Sequence, residues 1–140
     1  MSKYKLINGF TKSSVKSVIR AEFKGWASKG GGICQYRLVT PATTLKCAVG
    51  CFIPDQFYDE SMEGCSPASP KIRAVSHLLP LTEQGLTAFQ NFHDANADKA
   101  TLKSKKAFEA EPLEDQIAKL EEWVDDFTIE PKEADYETAK

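Results

Sequence analysis

The sequence predicts one mainly α-helical domain of the α+β class, with four to five helices around a small two-stranded β element. Apolar residues recur at intervals of three and four along several segments, which is the period of a helix that buries one face. Two short apolar segments, Ile33–Val39 and Leu45–Gly50, flank a turn at Pro41 and favour a β-ribbon. The chain has 140 residues, 41% of them hydrophobic, which is enough for one core without disulfides or metal.

The first helix is predicted from apolar residues that share one helical face, with Thr11 or Ser13 as the N-cap. These residues are Val15, Val18, Ile19, Phe23 and Trp26. Four basic residues at intervals of four, named the basic stripe, lie beside that face: Lys12, Lys16, Arg20 and Lys24. Before the helix, residues 1–10 can form a short extended arm. After it, Gly30–Gly32 are expected to end the helix, because three glycines lose much backbone entropy in a helix.

The segment after the ribbon predicts a helical turn and two short helices. Pro54 suits the first turn of a helix over Pro54–Met62, and acidic residues stand near its positive end. Four apolar residues mark a second short helix that Pro80 ends. They are Ile72, Val75, Leu78 and Leu79.

The C-terminal half predicts two longer helices. Thr82 can cap the first, in which Leu86, Phe89 and His93 share a face, and residues 96–106 form a loose helix or an exposed connection. The last helix has Pro112 in its first turn and apolar residues at alternating steps of four and three: Leu113, Ile117, Leu120, Val124 and Phe127. Residues 130–140 are acidic and poor in apolar residues, which predicts a disordered tail after a domain that spans residues 1–129.

The net charge of -2 hides an asymmetry between the two ends. Residues 1–46 carry nine Lys or Arg residues against one acidic residue, whereas residues 109–140 carry twelve acidic residues against three lysines. The two ends are therefore expected either to attract each other or to meet a charged partner. No apolar segment approaches the ~20 residues that span a bilayer, and the polar start lacks a signal peptide, so we expect no membrane contact and a cytoplasmic location.

Four cysteines are predicted to be reduced and buried, since the cytoplasm keeps thiols reduced: Cys34, Cys47, Cys51 and Cys65. Their spacing lacks the paired ligands of most zinc sites, and we expect no cofactor. Metal binding or thiol catalysis by Cys47, Cys51 and His93 stays open as an alternative. Asp94 follows His93, but adjacent residues on a helix do not face each other, so Asp94 is not expected to orient the imidazole. Both residues are included among the predicted binding residues.

Four polar side chains are embedded in the apolar segment around the ribbon: Tyr36, Arg37, Asp55 and Tyr58. In the structural interpretation, which we favour, Arg37 pairs with Asp55, Asp59 or Glu63 and joins the ribbon to the next helix. In the functional interpretation, the two tyrosines and the arginine form a recognition surface, because these residue types dominate binding hot spots.

The basic stripe would also suit nucleic-acid phosphates, although the chain carries no RNP, helix-turn-helix or zinc-finger signature. We favour a solvated face, or one neutralised by the acidic last helix. Conversely, four acidic residues of the last helix could imitate a phosphate backbone: Glu121, Glu122, Asp125 and Asp126. No nucleotide-binding, metalloprotease or serine-hydrolase motif is present, so we expect a binding protein rather than an enzyme.

Two parts of the chain form a distinctive pattern. The first part is Cys34–Arg37 (CQYR), Leu45–Asp55 (LKCAVGCFIPD), Tyr58 and Met62–Gly64 (MEG), and the second is Phe89–Asp94 (FQNFHD). Together they resemble a pattern found in a family of small uncharacterised proteins of bacteriophages and bacteria. The resemblance implies a phage or prophage origin and transfers no catalytic role. It implies an accessory protein that binds a host protein, such as a defence component or a nucleic-acid-processing protein, in the host cytoplasm.

Overall fold

The computed structural model describes residues 3–26, 36–39, 41, 43–63, 65–103 and 112–130, except the side chains of residues 97–103. Its helices are α1 (Lys12–Glu22), α2 (Pro70–Arg73), α3 (Glu83–Lys103) and α4 (Leu113–Phe127), and its strands are β1 (Tyr4–Lys5), β2 (Arg37–Val39), β3 (Thr44–Lys46) and β4 (Thr128–Ile129). Several single turns of 3₁₀-helix connect the ribbon to α2 and α2 to α3. The predicted mainly α-helical fold of the α+β class is confirmed.

Helix α1 begins with a reciprocal cap, as the sequence predicts. The hydroxyl oxygen of Thr11 accepts a hydrogen bond from the Ser14 amide at 3.1 Å, and the Ser14 hydroxyl oxygen accepts one from the Thr11 amide at 2.8 Å. The helix ends at Glu22, so the prediction that Gly30–Gly32 end it is wrong. Those glycines lie outside the described residues.

Helix α1 ends earlier than predicted because Phe23 and Trp26, the last two residues of its predicted buried face, are buried outside the helix. Phe23 is extended, and Gly25 takes a φ of +139°, a conformation that suits glycine. The Phe23 and Trp26 rings then meet edge to face, with centroids 5.3 Å apart. The Trp26 amide donates to Oε1 of Gln116 in α4 at 3.0 Å. Packing against α4 therefore determines where α1 ends, and the spacing of apolar residues does not predict it.

The ribbon is confirmed. Strands β2 and β3 pair antiparallel, with Arg37 opposite Lys46. The Cys47 amide donates to the carbonyl oxygen of Tyr36 at 3.3 Å and extends the pairing by one bond. A single 3₁₀ turn at Gly50–Phe52 follows, as predicted.

The predicted helix over Pro54–Met62 is wrong. Two 3₁₀ turns, Asp55–Phe57 and Glu60–Met62, take its place and are separated by an extended Tyr58 with φ −76° and ψ 137°. The hydroxyl of Tyr58 donates to Oε2 of Glu63 at 2.6 Å. The side-chain contact replaces the backbone bonds that a continuous helix would have made.

The short helix predicted before Pro80 is also divided, into α2 and a 3₁₀ turn at Ser76–Leu78. Its apolar residues are nevertheless buried as expected, at most 4% exposed for Ile72, Val75 and Leu79. The burial pattern was therefore predicted correctly although the secondary structure was not.

Helices α3 and α4 bury the faces that the sequence predicts. Six of the predicted residues are at most 4% exposed: Leu86, Phe89, His93, Ile117, Leu120 and Val124. Leu113 is 40% exposed, while Trp123, which the spacing did not single out, is buried and stacks on Phe89 with centroids 4.6 Å apart. The backbone of α3 continues to Lys103, so the helical alternative for residues 96–103 is correct.

Strands β1 and β4 pair in parallel, with Tyr4 opposite Thr128 and Lys5 opposite Ile129. The Tyr4 ring also stacks on Trp123, with centroids 6.0 Å apart. The extended arm is therefore present as a strand. Residues 131–140 lie outside the described part of the chain, and the disordered tail stays a prediction. Within the described residues, no helix is both long and apolar enough to span a membrane.

Ion pairs join the basic stripe to α4. Lys16 Nζ lies 2.6 Å from Oδ1 of Asp125. Arg20 contacts Glu114 at 2.7 Å and Glu121 at 2.8 Å. The neighbouring carboxylates raise the pKa of Arg20. The opposite charges at the two ends of the chain therefore attract each other within the fold.

We expect Lys16 and Asp125 to be energetically coupled. The variants Lys16→Gln and Asp125→Asn keep the side-chain size and remove one charge each, and a double-mutant cycle should give a coupling energy of about 0.5 kcal/mol at low salt. The coupling should shrink in about 1 M salt because exposed pairs are screened. Urea unfolding measures it. The cycle of Lys24→Gln with Asp125→Asn is the control, and equal coupling in both cycles would contradict a specific pair.

Candidate functional site

Two of the four polar residues predicted around the ribbon, Arg37 and Asp55, line an open groove of about 360 Å³. Its lining residues are Glu22, Lys24, Arg37, Thr43, Thr44, Lys46 and Asp55. Val39 at the end of β2 is 78% exposed. The groove together with Val39 is named the ribbon surface.

Arg37 is the central residue of the ribbon surface. Its side chain is only 13% exposed, and one guanidinium nitrogen lies 2.7 Å from Oδ1 of Asp55 and donates to the carbonyl oxygen of Ile53 at 3.0 Å. The guanidinium carbon stands 4.4 Å from the centroid of the Tyr58 ring, a cation–π contact. The predicted pairing of Arg37 with Asp55 is therefore present. Nε of Arg37 is buried without a hydrogen-bond partner among the described residues.

Glu63 holds this cluster in place. Its Oε1 accepts from the Tyr36 amide at 2.7 Å, and its Oε2 accepts from the Arg37 amide at 2.9 Å and from the Tyr58 hydroxyl at 2.6 Å. One carboxylate therefore fixes the start of β2 and the Tyr58 ring that stacks on Arg37. Burial and the hydrogen bond to Glu63 raise the pKa of Tyr58 above its ordinary value of 10.0.

Tyr36 does not reach the ribbon surface, although the sequence analysis placed it there. The residue is fully buried, and its hydroxyl donates to the carbonyl oxygen of Cys65 at 2.6 Å. Gly50 packs against its backbone so closely that a Cβ atom at Gly50 would overlap the Tyr36 carbonyl oxygen. Tyr36 thus belongs to the structural support of the surface.

The charges of the groove leave a net positive lining. Lys46 Nζ pairs with Oε1 of Glu22 at 2.8 Å, and Arg37 pairs with Asp55. Lys24 is exposed and forms no ion pair with any residue that the structure describes. Lys24 was predicted as part of the basic stripe, and no role was predicted for Lys46 or Glu22. No sequence signal indicated that these three residues line one groove, because their proximity depends on where α1 ends.

His93 and Asp94 form a buried network with Gln90. Nδ1 of His93 lies 3.0 Å from Oδ1 of Asp94, and the same oxygen accepts from Nε2 of Gln90 at 2.8 Å. The expectation that Asp94 could not orient the imidazole is therefore wrong. Gln90 precedes the two residues by three and four positions, so both side chains lie beside it and meet there. His93 is fully buried and has its ring 5.3 Å from that of Trp26, so it does not reach the surface.

The cysteines that the structure describes are arranged as core residues. Cys47 and Cys51 are buried, Cys65 is half-buried, and Cys34 lies outside the described residues. Burial raises the pKa of Cys51 to about 12, which disfavours its thiolate. In the described part of the chain, no three His, Cys, Asp or Glu residues come together as metal ligands. Cys47, Cys51 and His93 therefore do not form the alternative metal site.

No protein-family model, curated protein or solved structure matches the chain. The resemblance to phage and bacterial proteins stays a prediction. The interpretation of the ribbon surface rests on its own geometry and charge.

We expect the stability of the protein to fall at alkaline pH through Tyr58. Its pKa is raised by folding, so the folded state keeps a proton that the unfolded chain loses. The stabilisation is complete below about pH 10 and is lost as the pH rises toward the folded pKa. Urea unfolding at several alkaline pH values should show a steeper loss for the wild type than for Tyr58→Phe.

The variant Glu63→Gln checks the cause of that shift. It removes the negative charge and leaves one neutral amide oxygen in place of two carboxylate oxygens, so Tyr58 should ionise at a lower pH in the phenolate absorbance titration. An unchanged titration would show that burial alone holds the proton on Tyr58.

We expect Cys51 to be unreactive in the folded protein. With a pKa of about 12, on the order of 10⁻⁵ of Cys51 is thiolate at pH 7. Alkylation followed by peptide mapping should label Cys65 well before Cys51, and the difference should disappear in denaturant. If Cys51 is instead the fastest of the two, the buried-core interpretation fails and thiol catalysis regains support.

Proposed function

We propose that this chain is an interaction protein without catalytic activity, which binds a partner protein through the ribbon surface. The observation that carries the proposal is the stack of Arg37, which lines an open groove, on Tyr58, with Asp55 and Glu63 holding the two side chains in place. Arginine and tyrosine are the residue types that contribute most at protein interfaces. The exposed Val39 beside the groove adds an apolar contact of the kind that interfaces bury.

The rigidity of the cluster supports a binding role. A side chain that is already fixed loses little entropy when a partner arrives, so more of the contact energy appears as affinity. Arg37 is fixed by an ion pair, a backbone carbonyl and an aromatic ring.

The composition of the cluster also argues against a purely structural role. Nε of Arg37 is buried without a hydrogen-bond partner among the described residues, which costs stability that an apolar side chain of similar size would not cost. Packing alone does not explain such an atom, and the side chain that carries it lines the groove.

An enzymatic alternative has less support. Burial of the Cys51 thiol disfavours a nucleophile there, and His93 is fully buried although Asp94 beside it is partly exposed. Catalysis needs a reactive group that a substrate can reach.

Nucleic-acid binding through the basic stripe also has less support. Lys16 and Arg20 are engaged by acidic residues of α4, and Lys12 donates to the carbonyl oxygen of Asp125 at 3.1 Å. The phosphates of a nucleic acid would have to compete with these contacts.

We further propose a class of partner for the ribbon surface. If the chain is phage-encoded, as the resemblance implies, the partner is a host protein in the host cytoplasm, such as a defence component or a nucleic-acid-processing protein. A small protein of this kind acts by occupying a surface of its target.

We expect variants of the ribbon surface to lose the partner. The immobilised protein captures proteins from a bacterial lysate, and mass spectrometry compares each variant with the wild type. Val39→Ser removes an exposed apolar contact, and Lys24→Gln removes an exposed charge that has no ion-pair partner among the described residues; together they should reduce capture by about tenfold.

Two variants with matched chemistry serve as controls. Leu113→Ser removes another exposed apolar side chain, and Gln84→Glu changes the net charge by the same amount as Lys24→Gln. Both should leave capture unchanged. A partner that is lost with the control variants, or kept by the ribbon variants, would overturn the proposed surface.

A further inference from the structure

Helices α3 and α4 form a second groove, of about 290 Å³, which takes no part in the ribbon surface. Its floor is aromatic, made of Phe92 from α3 with Trp123 and Phe127 from α4. The Trp123 and Phe127 rings stack with centroids 5.5 Å apart, and Phe92 lies 6.5 Å from Trp123. Trp123 is buried beneath, whereas Phe92 and Phe127 are half-buried and present part of their rings to the groove.

The rim of this groove is acidic. Glu122 and Asp126 lie four residues apart on α4, are both exposed, and line the groove. Neither forms an ion pair with a residue that the structure describes. Lys119 also lines the groove, so the lining carries two carboxylates and one ammonium group, a net negative charge.

The two rim carboxylates differ from their neighbours in α4. Glu121 and Asp125 pair with Arg20 and Lys16 of α1 and are used within the fold. Of the four acidic residues predicted as a possible phosphate mimic, only Glu122 and Asp126 therefore form no ion pair within the part of the chain that the structure describes. They border an aromatic floor, which a mimic of the nucleic-acid backbone does not need.

We propose that this groove binds one basic side chain, an arginine or a lysine, from an exposed peptide segment of a partner protein. The aliphatic part of such a side chain packs on an apolar floor while its charged end stays at the rim. The half-exposed rings of Phe92 and Phe127 attract the cation through their faces. Glu122 and Asp126 accept charge-assisted hydrogen bonds from it.

Charge complementarity decides among the possible occupants. A neutral apolar side chain would cover the floor but would leave the two carboxylates partly desolvated without a partner. A phosphate group or an acidic segment would be repelled by them. A basic side chain can pack its aliphatic part on the aromatic floor and pair its charge with the carboxylates of the rim.

The experiment uses two small probes of the same shape, N-acetyl-arginine methylamide and N-acetyl-citrulline methylamide, which differ in charge. Each is titrated into the isotope-labelled full chain while NMR follows the signals of Trp123, Phe127 and Phe92. The arginine probe should shift these signals in a saturable way, and the citrulline probe should bind at least about tenfold more weakly. Added salt should weaken the binding of the arginine probe, because its contact with the rim carboxylates is exposed to solvent.

Variants test the two parts of the groove separately. The pair Glu122→Gln with Asp126→Asn keeps the rim's shape and should weaken the arginine probe by roughly tenfold. Asp126→Asn alone is compared with Asp125→Asn, which removes the same single negative charge one residue away and should have little effect. The ribbon variants Val39→Ser and Lys24→Gln should not change this binding, so this inference and the proposed function can fail independently.

Three results would overturn the inference. Equal affinity for the citrulline probe would mean that the groove recognises shape without charge. An equal loss with Asp125→Asn would mean that the whole helix attracts cations without a site. Sedimentation that shows a dimer, dissociated by the rim variants, would identify a second copy of the chain as the occupant.

Discussion

The carboxylate of Glu63 is the contact on which the ribbon surface depends. It accepts hydrogen bonds from the amides of Tyr36 and Arg37 and from the hydroxyl of Tyr58, which occupies both of its oxygens. The amides belong to the entry into the ribbon, while the phenol comes from the extended residue between two 3₁₀ turns. Because hydrogen bonds to a charged acceptor are strong, this one side chain joins two segments that share no backbone pairing. The stacking of Arg37 on Tyr58 depends on that join.

The acidic last helix uses its charges in two directions. Glu121 and Asp125 face α1 and pair with basic residues there, while Glu122 and Asp126 border the aromatic groove next to α3. The helix period explains the division, since neighbouring residues point about a quarter-turn apart. A charge pattern that looks uniform in the sequence therefore forms ion pairs with α1 on one side of the helix and the acidic rim of a groove on the other.

The parts of the fold that were predictable depend on local chemistry. Helical periodicity predicted the buried faces of α1, α3 and α4, and capping chemistry gave Thr11 as one of two possible caps of α1. The ribbon was predicted, and Asp55 was one of the three partners predicted for Arg37. These features need only a short stretch of chain to be recognised.

The parts that were not predictable depend on distant contacts. The end of α1 is placed by Gln116, which lies far along the chain from Trp26. The extended Tyr58 is held by a side chain that a helix would have turned away. The meeting of His93 and Asp94 required Gln90 as a common neighbour. Packing overrides local preference at each of these positions.

The parallel pairing of β1 with β4 has a consequence for biosynthesis. Tyr4 can pair with Thr128 only after α4 has been synthesised, although α1 can begin to form much earlier. Contacts between residues so far apart in sequence form slowly, because a long loop must close first. Until the loop closes, the face of Trp123 that Tyr4 covers is exposed to water, and exposed aromatic surface of this kind makes a partly folded chain prone to aggregate.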